Sequence, residues 1–258
     1  MQKTALALTL LLSASLIASG QTVAAIEKSL LARLANIEKW SNYGDHPDYD
    51  KLEKENDLFK KELLRFTRQP ATLSAAFPRL KKELRIVTSK DGRLRIFSWD
   101  RQTGGTMHDY DNVFQYRSSG GKVLSWSESD AEDAAGAFYH EIFQVSARSG
   151  PIYLAVSTFV GSTSLRGESI RAIRINGSVL DTDAKLIRTG SGLQSSISFG
   201  YDLFSQLDRK DRRLFTFDQS KKSFSFPMII EDEKTPQGRV TNKLITYRFN
   251  GSYFVKTD

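Results

Sequence analysis

Cysteine is absent from the 258-residue chain. No disulfide can form, thiol chemistry is excluded, and so is any zinc site built on cysteine. A chain of this length can stand on its apolar core alone. Recognisable catalytic signatures are missing too. His140-Glu141 runs on into Ile142-Phe143-Gln144, so there is no H-E-x-x-H, and no G-x-S-x-G elbow occurs. After the N-terminal segment no stretch is apolar enough to span a bilayer, which needs about 20 residues. No repeat keeps the spacing that a propeller requires. Nucleic-acid recognition motifs are absent, so no nucleic-acid partner is expected.

What is present starts at the N-terminus. Lys3, an apolar run from Ala5 to Ile17 and the small residues that follow have the layout of a secretory signal peptide. Residues 1–25 are read as that signal, with cleavage after Gly20 or after Ala25. No cysteine lies near either point, so a lipid-modified N-terminus is excluded. The expected address is periplasmic or secreted, with no transmembrane span after cleavage.

Charge is mixed. Lys+Arg 37 against Asp+Glu 30 gives a formal +7. Basic runs occur at Arg209-Lys210-Asp211-Arg212-Arg213 and at Lys221-Lys222. They read first as hairpin edges protected by charge, and second as attraction to an anionic envelope partner. Acidic stretches at Glu128–Asp133 and Glu231–Lys234 add patches of the other sign, which can orient a protein partner.

The pattern changes near residue 80. Ile26, Leu30, Leu31, Leu34 and Ile37 recur at helix spacing, and Trp40 closes that helix. A second helix is predicted from Asp50 to Arg68, with Leu52, Phe59, Leu63 and Phe66 on one face and Pro70 as its stop. A short helical segment, Leu73 to Leu80, follows. From Leu84 onward, runs rich in Ile, Val, Phe, Tyr and Thr alternate with turn dipeptides: Asp91-Gly92, Gly120-Gly121, Asn176-Gly177 and Asn250-Gly251. Asn176-Gly177-Ser178 and Asn250-Gly251-Ser252 match the glycosylation sequon, but a hairpin turn already explains each pair. Phe224, Phe226, Met228 and Ile230 alternate with polar or small residues as in a half-buried strand; Tyr139, Phe143 and Val145 alternate less cleanly. About a dozen strands are expected. The predicted fold class is α+β: a helical segment (26–80) packed on a mainly antiparallel β domain (81–258), as a curled sheet, sandwich or partial barrel.

The segment Ser98–Asn112 is the best site candidate. It is longer than a hairpin needs, and Gly104-Gly105 lets the backbone approach a ligand closely. Its ligand-binding candidates are Trp99, Asp100, Thr103, Thr106, His108, Asp109 and Asp111. Trp99 would give an aromatic platform, and Asp100, His108 and Asp109 would orient polar groups. The competing reading is a structural loop whose Asp and Thr side chains bond its own backbone. His108, Asp109 and Asp111 are ligand types for a divalent ion, but His46 and His140 lie far away in sequence. No metal or cofactor is expected.

Two segments carry a family resemblance: Pro70-Ala71-Thr72-Leu73 through Phe77, and Ile86 through Asp100 (IVTSKDGRLRIFSWD) running into Thr103–His108 and Asp111–Tyr116. Together they resemble a family of exported bacterial proteins with no established activity. The closing Tyr247–Phe254 is similar as well. The resemblance implies a bacterial, periplasmic setting and transfers no catalytic residue. The expected function is a non-catalytic binding or interaction protein, inhibitor- or immunity-like or envelope-glycan binding. The alternative is a hydrolase of an envelope polymer using loop carboxylates.

Overall fold

The computed structural model describes residues 21–128, 136–206 and 213–257. Most of the expected signal segment, the acidic stretch after Glu128, and the basic run before Arg213 lie outside the described residues.

The helices form where apolar residues repeat at helix spacing. Helix α1 (Val23–Trp40) buries Ile26, Leu30 and Ile37, and its N-cap Thr22 accepts a hydrogen bond from the Ala25 amide. Helix α2 (Tyr49–Phe66) is capped by Asp48, which accepts from the Lys51 amide, and buries Leu52, Asn56, Phe59, Leu63 and Phe66. Arg33 of α1 bridges Glu55 and Glu62 of α2 at 3.2 and 3.0 Å. Pro70 does not itself end α2; it begins a further short helix, α3 (Pro70–Leu73), at a position where its missing N–H costs nothing. The expected segment Leu73–Leu80 is instead split between α3 and α4 (Leu80–Glu83). Glu27 satisfies the start of α4, accepting from the Arg79 and Leu80 amides at 2.9 Å each.

The strands follow in chain order: β1 (Arg85–Thr88), β2 (Leu94–Asp100), β3 (Tyr110–Arg117), β4 (Val123–Ser127), β5 (Phe138–Ala147), β6 (Gly150–Val160), β7 (Leu165–Asn176), β8 (Val179–Asp181), β9 (Ile187–Thr189), β10 (Gly192–Gln194), β11 (Ser196–Asp202), β12 (Thr216–Asp218), β13 (Ser223–Asp232), β14 (Thr235–Phe249) and β15 (Phe254–Thr257). They make three open sheets with orders β1-β2-β3-β4, β11-β7-β6-β5 and β10-β9-β15-β14-β13-β12. All pairings are antiparallel except β15 with β9. The glycines of the four expected turn dipeptides do close hairpins: Gly92, Gly121, Gly177 and Gly251 all carry positive φ, between 62° and 107°.

The layers stack in order, helices first. Phe97, Trp99 and Val113 face α1 and α2. The alternate residues Leu94, Ile96, Phe114 and Tyr116 face the middle sheet, meeting Tyr139, Tyr153, Ala155 and Ile173. On the far face of the middle sheet Ile152, Leu154, Val156, Ile170 and Ala172 meet Ile187, Phe224, Phe226, Tyr247 and Phe254 of the last sheet. The period of two puts every strand of the first two sheets to work on both faces, which is why β2 and β3 are buried almost throughout.

Two irregularities explain where simple alternation fails. The pairing of β5 with β6 shifts between Tyr139 and Glu141. That extra residue sends Tyr139 to one core and Phe143 and Val145 to the other. A second shift, between Pro227 and Ile229, takes Met228 and Ile230 off the expected core face. Ile229 instead packs with Tyr201, Leu214 and Val240. Among the described residues no helix is long and apolar enough to cross a membrane.

Candidate functional site: a groove beside the β2–β3 loop

The loop between β2 and β3 is anchored at its root. Trp99 is 1% exposed, its ring packs edge-on against Phe59 at 4.9 Å, and its indole N–H donates to Asn56 Oδ1 at 3.1 Å. Asn56 in turn donates to the Arg101 carbonyl at 2.9 Å. Trp99 therefore does not form the expected aromatic platform. As the third inward residue of a strand covered by helices, it is a core anchor, bordering a hollow of about 330 Å³ beside Leu31, Leu34 and Gln102.

Beyond the anchor the loop is held by charge. Arg101 makes two hydrogen bonds to Glu53, at 2.8 and 2.6 Å, and one to Asp109 at 2.9 Å. Asp109 also accepts from the Gly136 amide at 2.9 Å and from Thr103 Oγ1 at 3.5 Å. Asp111, 6% exposed, pairs with Lys60 at 3.3 Å. At the tip, Asp100 Oδ2 sits 2.6 Å from His108 Nδ1, and its other oxygen accepts from the Gln102 amide at 2.8 Å. The His108 ring lies between Tyr43 and Tyr110, at centroid distances of 5.7 and 6.2 Å. Burial, then the Asp100 charge, pushes the Tyr110 phenol up to about 12. An Asp–His pair of this kind can orient an imidazole as a base. Among the described residues no hydroxyl bonds its other ring nitrogen. Gly104 is required at its place, since a Cβ there would meet the Met107 carbonyl oxygen at 1.9 Å. Much of the loop thus bonds its own backbone and neighbours, as the structural reading anticipated.

The structure separates the seven candidates. Asp109 and Asp111 line a cavity of about 460 Å³ with Arg101, Glu128, Tyr139 and Arg171. Asp100 and His108 form the tip pair away from it, Thr103 braces Asp109, Thr106 belongs to the exposed turn, and Trp99 is buried. The cavity opens onto the face of the middle sheet. There Ser157, Ser169 and Ser198 stand side by side on three adjacent strands. The next row along the same face is Phe159, Gly167 and Gly200. These small residues leave a trough, and a second hollow of about 460 Å³ continues the first, sharing Ala137 and the three serines. The Phe159 ring lies over Gly167, where an added Cβ would touch it at 3.5 Å.

At the junction Arg171 pairs with the Glu128 carboxylate, and Tyr139 donates to Glu128 at 3.4 and 3.3 Å. Burial raises the Tyr139 phenol well above its ordinary range, with the Glu128 charge adding to it, so it remains a donor. Asn112, 4% exposed, donates to the Ala137 carbonyl, and its Oδ1 is buried with no partner among the described residues. The serine row, the glycines and Phe159 went unread in the sequence. Only strand register, which brings residues 157, 167–169 and 198–200 together, makes them a site.

Among the described residues no three His, Asp or Glu side chains gather as a metal site. No family model, curated protein or solved structure matches this chain.

Proposed function

We propose that this chain acts outside the cytoplasm as a non-catalytic binding protein, and that the groove takes a glycan of the cell envelope. The observation that carries the reading is the groove's floor. A row of serine hydroxyls lies beside the Phe159 ring, which rests over Gly167 on the next row. A sugar ring presents hydroxyls at its edge and C–H groups on its face, and such a floor meets both. The ion-paired walls supply fixed donors and acceptors that cost little to order on binding.

The hydrolase alternative asks for one protonated and one free carboxyl group. Asp109, Asp111 and Glu128 each already have a cationic partner. That pairing supports binding over catalysis. Export belongs to the same proposal. Cleavage after Gly20 leaves the Thr22 cap and the first turn of α1 intact. Cleavage after Ala25 removes both and places a charged amine on buried Ile26. We therefore favour Gly20, and N-terminal sequencing of protein from its native envelope tests it.

The function is tested by titrating the purified protein, by calorimetry, with peptidoglycan fragments and lipopolysaccharide core oligosaccharides, while following release of reducing ends. The expected result is binding without cleavage, weakened by Phe159→Ala. Turnover of any of these glycans would overturn the non-catalytic reading, and no binding across the set would overturn the glycan reading.

A further inference from the structure

A second site lies on the opposite face of the middle sheet, at the end where its strands turn toward the last sheet. Four hairpin connections meet there: the β5–β6 turn, the end of β7, the β12–β13 turn and the β14–β15 turn. Between them is an open cleft of about 1070 Å³. Its walls carry Arg148, Arg174, Lys185 and Lys222, against Asp181 as the single carboxylate. Arg188 stands beside it, stacked over the Tyr253 ring at 5.1 Å.

The charges in this cleft are under-compensated. Arg174 Nε is buried and has no hydrogen-bond partner among the described residues. Among the described residues Lys222 reaches the Ser146 carbonyl alone, at 3.5 Å, and Lys185 is held loosely by Asp183 at 3.6 Å. Asp181 accepts from the Asp183 amide. Arg174 thus lacks an acceptor on that side, and an anion in the cleft would offset the charge of its guanidinium. Lys222 also adopts a left-handed backbone, φ 49°, which lysine disfavours. The strain holds an exposed cation at the rim of the cleft.

We propose that this cleft binds an acidic oligosaccharide, one carrying carboxylate or sulfate groups along its length. The cations come from separate connections across a wide opening, Lys185 from the one between β8 and β9, so they match several spaced charges and not one small anion. The remaining lining is rich in hydroxyl and amide groups, Ser146, Ser149, Asn176, Asn250 and Ser252, which suit sugar hydroxyls. Its aliphatic and phenyl members, Leu186 and Phe249, are buried, and half-buried Tyr253 is covered by Arg188, so it offers little apolar surface to a peptide. The site is independent of the groove, with no lining residue in common.

The test is calorimetric titration of the purified protein at low salt with a heparin octasaccharide, an oligogalacturonate of similar length, a neutral dextran oligomer and inorganic phosphate. The acidic oligomers should bind and the dextran should not, with affinity falling steeply as salt rises. Binding of the galacturonate oligomer would show that carboxylate suffices, and binding of heparin without it would show that sulfate is needed. Arg174→Gln should weaken binding about tenfold. Lys222→Gly should weaken it as well, while folding at least as stably, because glycine accepts the left-handed backbone. Phe159→Ala, in the groove, should leave this binding unchanged. The proposal fails if neither acidic oligomer binds, if both cleft variants bind like the parent, if dextran binds equally, or if phosphate alone displaces the oligomers at comparable concentration.

Discussion

The groove and the cleft sit on opposite faces of one sheet and treat charge in opposite ways. At the groove's first cavity the cations have carboxylates, Arg101 with Glu53 and Asp109, Lys60 with Asp111 and Arg171 with Glu128, while Arg166 at the second hollow bonds backbone carbonyls. In the cleft Arg174 has an orphaned nitrogen, and Arg148, Arg174, Lys185 and Lys222 line the walls with Asp181, while Asp183 reaches Lys185 at 3.6 Å. Paired charges fix geometry before a ligand arrives, so they confer orientation and little net attraction. Unpaired charges leave a field that a ligand must neutralise. The difference also runs through the scaffold. The groove's loop is rooted in a buried tryptophan, whereas the cleft is made of turn tips that bury little.

Substitutions at the loop root should sharpen that contrast most. Trp99→Ala removes the largest side chain of the helix-facing core and should cost about 3–5 kcal/mol in a denaturant titration. Lys222→Ala at a cleft turn should change stability by less than about 0.5 kcal/mol. Equal effects at the two places would erase the distinction between an anchored loop and free turns. Next in size, Asn56→Ala should cost about 2 kcal/mol, since it strips partners from both the Trp99 indole and the Arg101 carbonyl. Arg171→Ala should cost about 1–2 kcal/mol by leaving Glu128 without its cation; solvent reaches both side chains and reduces the effect.

Alkaline pH provides a subtler test of the groove side. Tyr110 and Tyr201 are pushed up to about 12 by burial first, and Tyr139 and Tyr153 are raised further for the same first reason. A raised phenol is protonated in the folded state when the unfolded chain has already begun to ionise near 10. Their contribution to stability is complete below that pH and is lost as pH rises toward and through 12. Absorbance at the phenolate band should show these tyrosines ionising only with unfolding; early ionisation of all nine would refute their burial. The smallest effect is expected for His108→Ala at the loop tip, under about 1 kcal/mol, because its pairing with Asp100 is partly exposed. A large loss of stability there would make the tip a brace.

The sequence was most legible where one residue type answers one local demand. Gly92, Gly121, Gly177 and Gly251 announce hairpins because only positive φ closes them well. The stripes of α1 and α2 announce a helical layer because a helix repeats its contacts every three or four residues. The switch from helices to strands near residue 80 followed from the same periodicities. Legibility ended where a strand has two buried faces. On β2 both sets of alternate residues are apolar, so nothing in the string tells Trp99, which faces the helices, from a side chain offered to solvent. It ended also at bulges, which shift the phase of β5 and β13 without a marker in composition.

By itself, then, the order of residues determined the helix-then-strand organisation, the hairpin turns and the exclusion of thiol chemistry, since each depends on neighbours in sequence or on composition. The tertiary structure alone decided that Asp109 and Asp111 line the groove while Asp100 and His108 do not. It also assembled the serine row from three strands and the cationic cleft from separate connections. Those sites depend on sheet register and on how sheets stack, and both are set by long-range packing that no local pattern records.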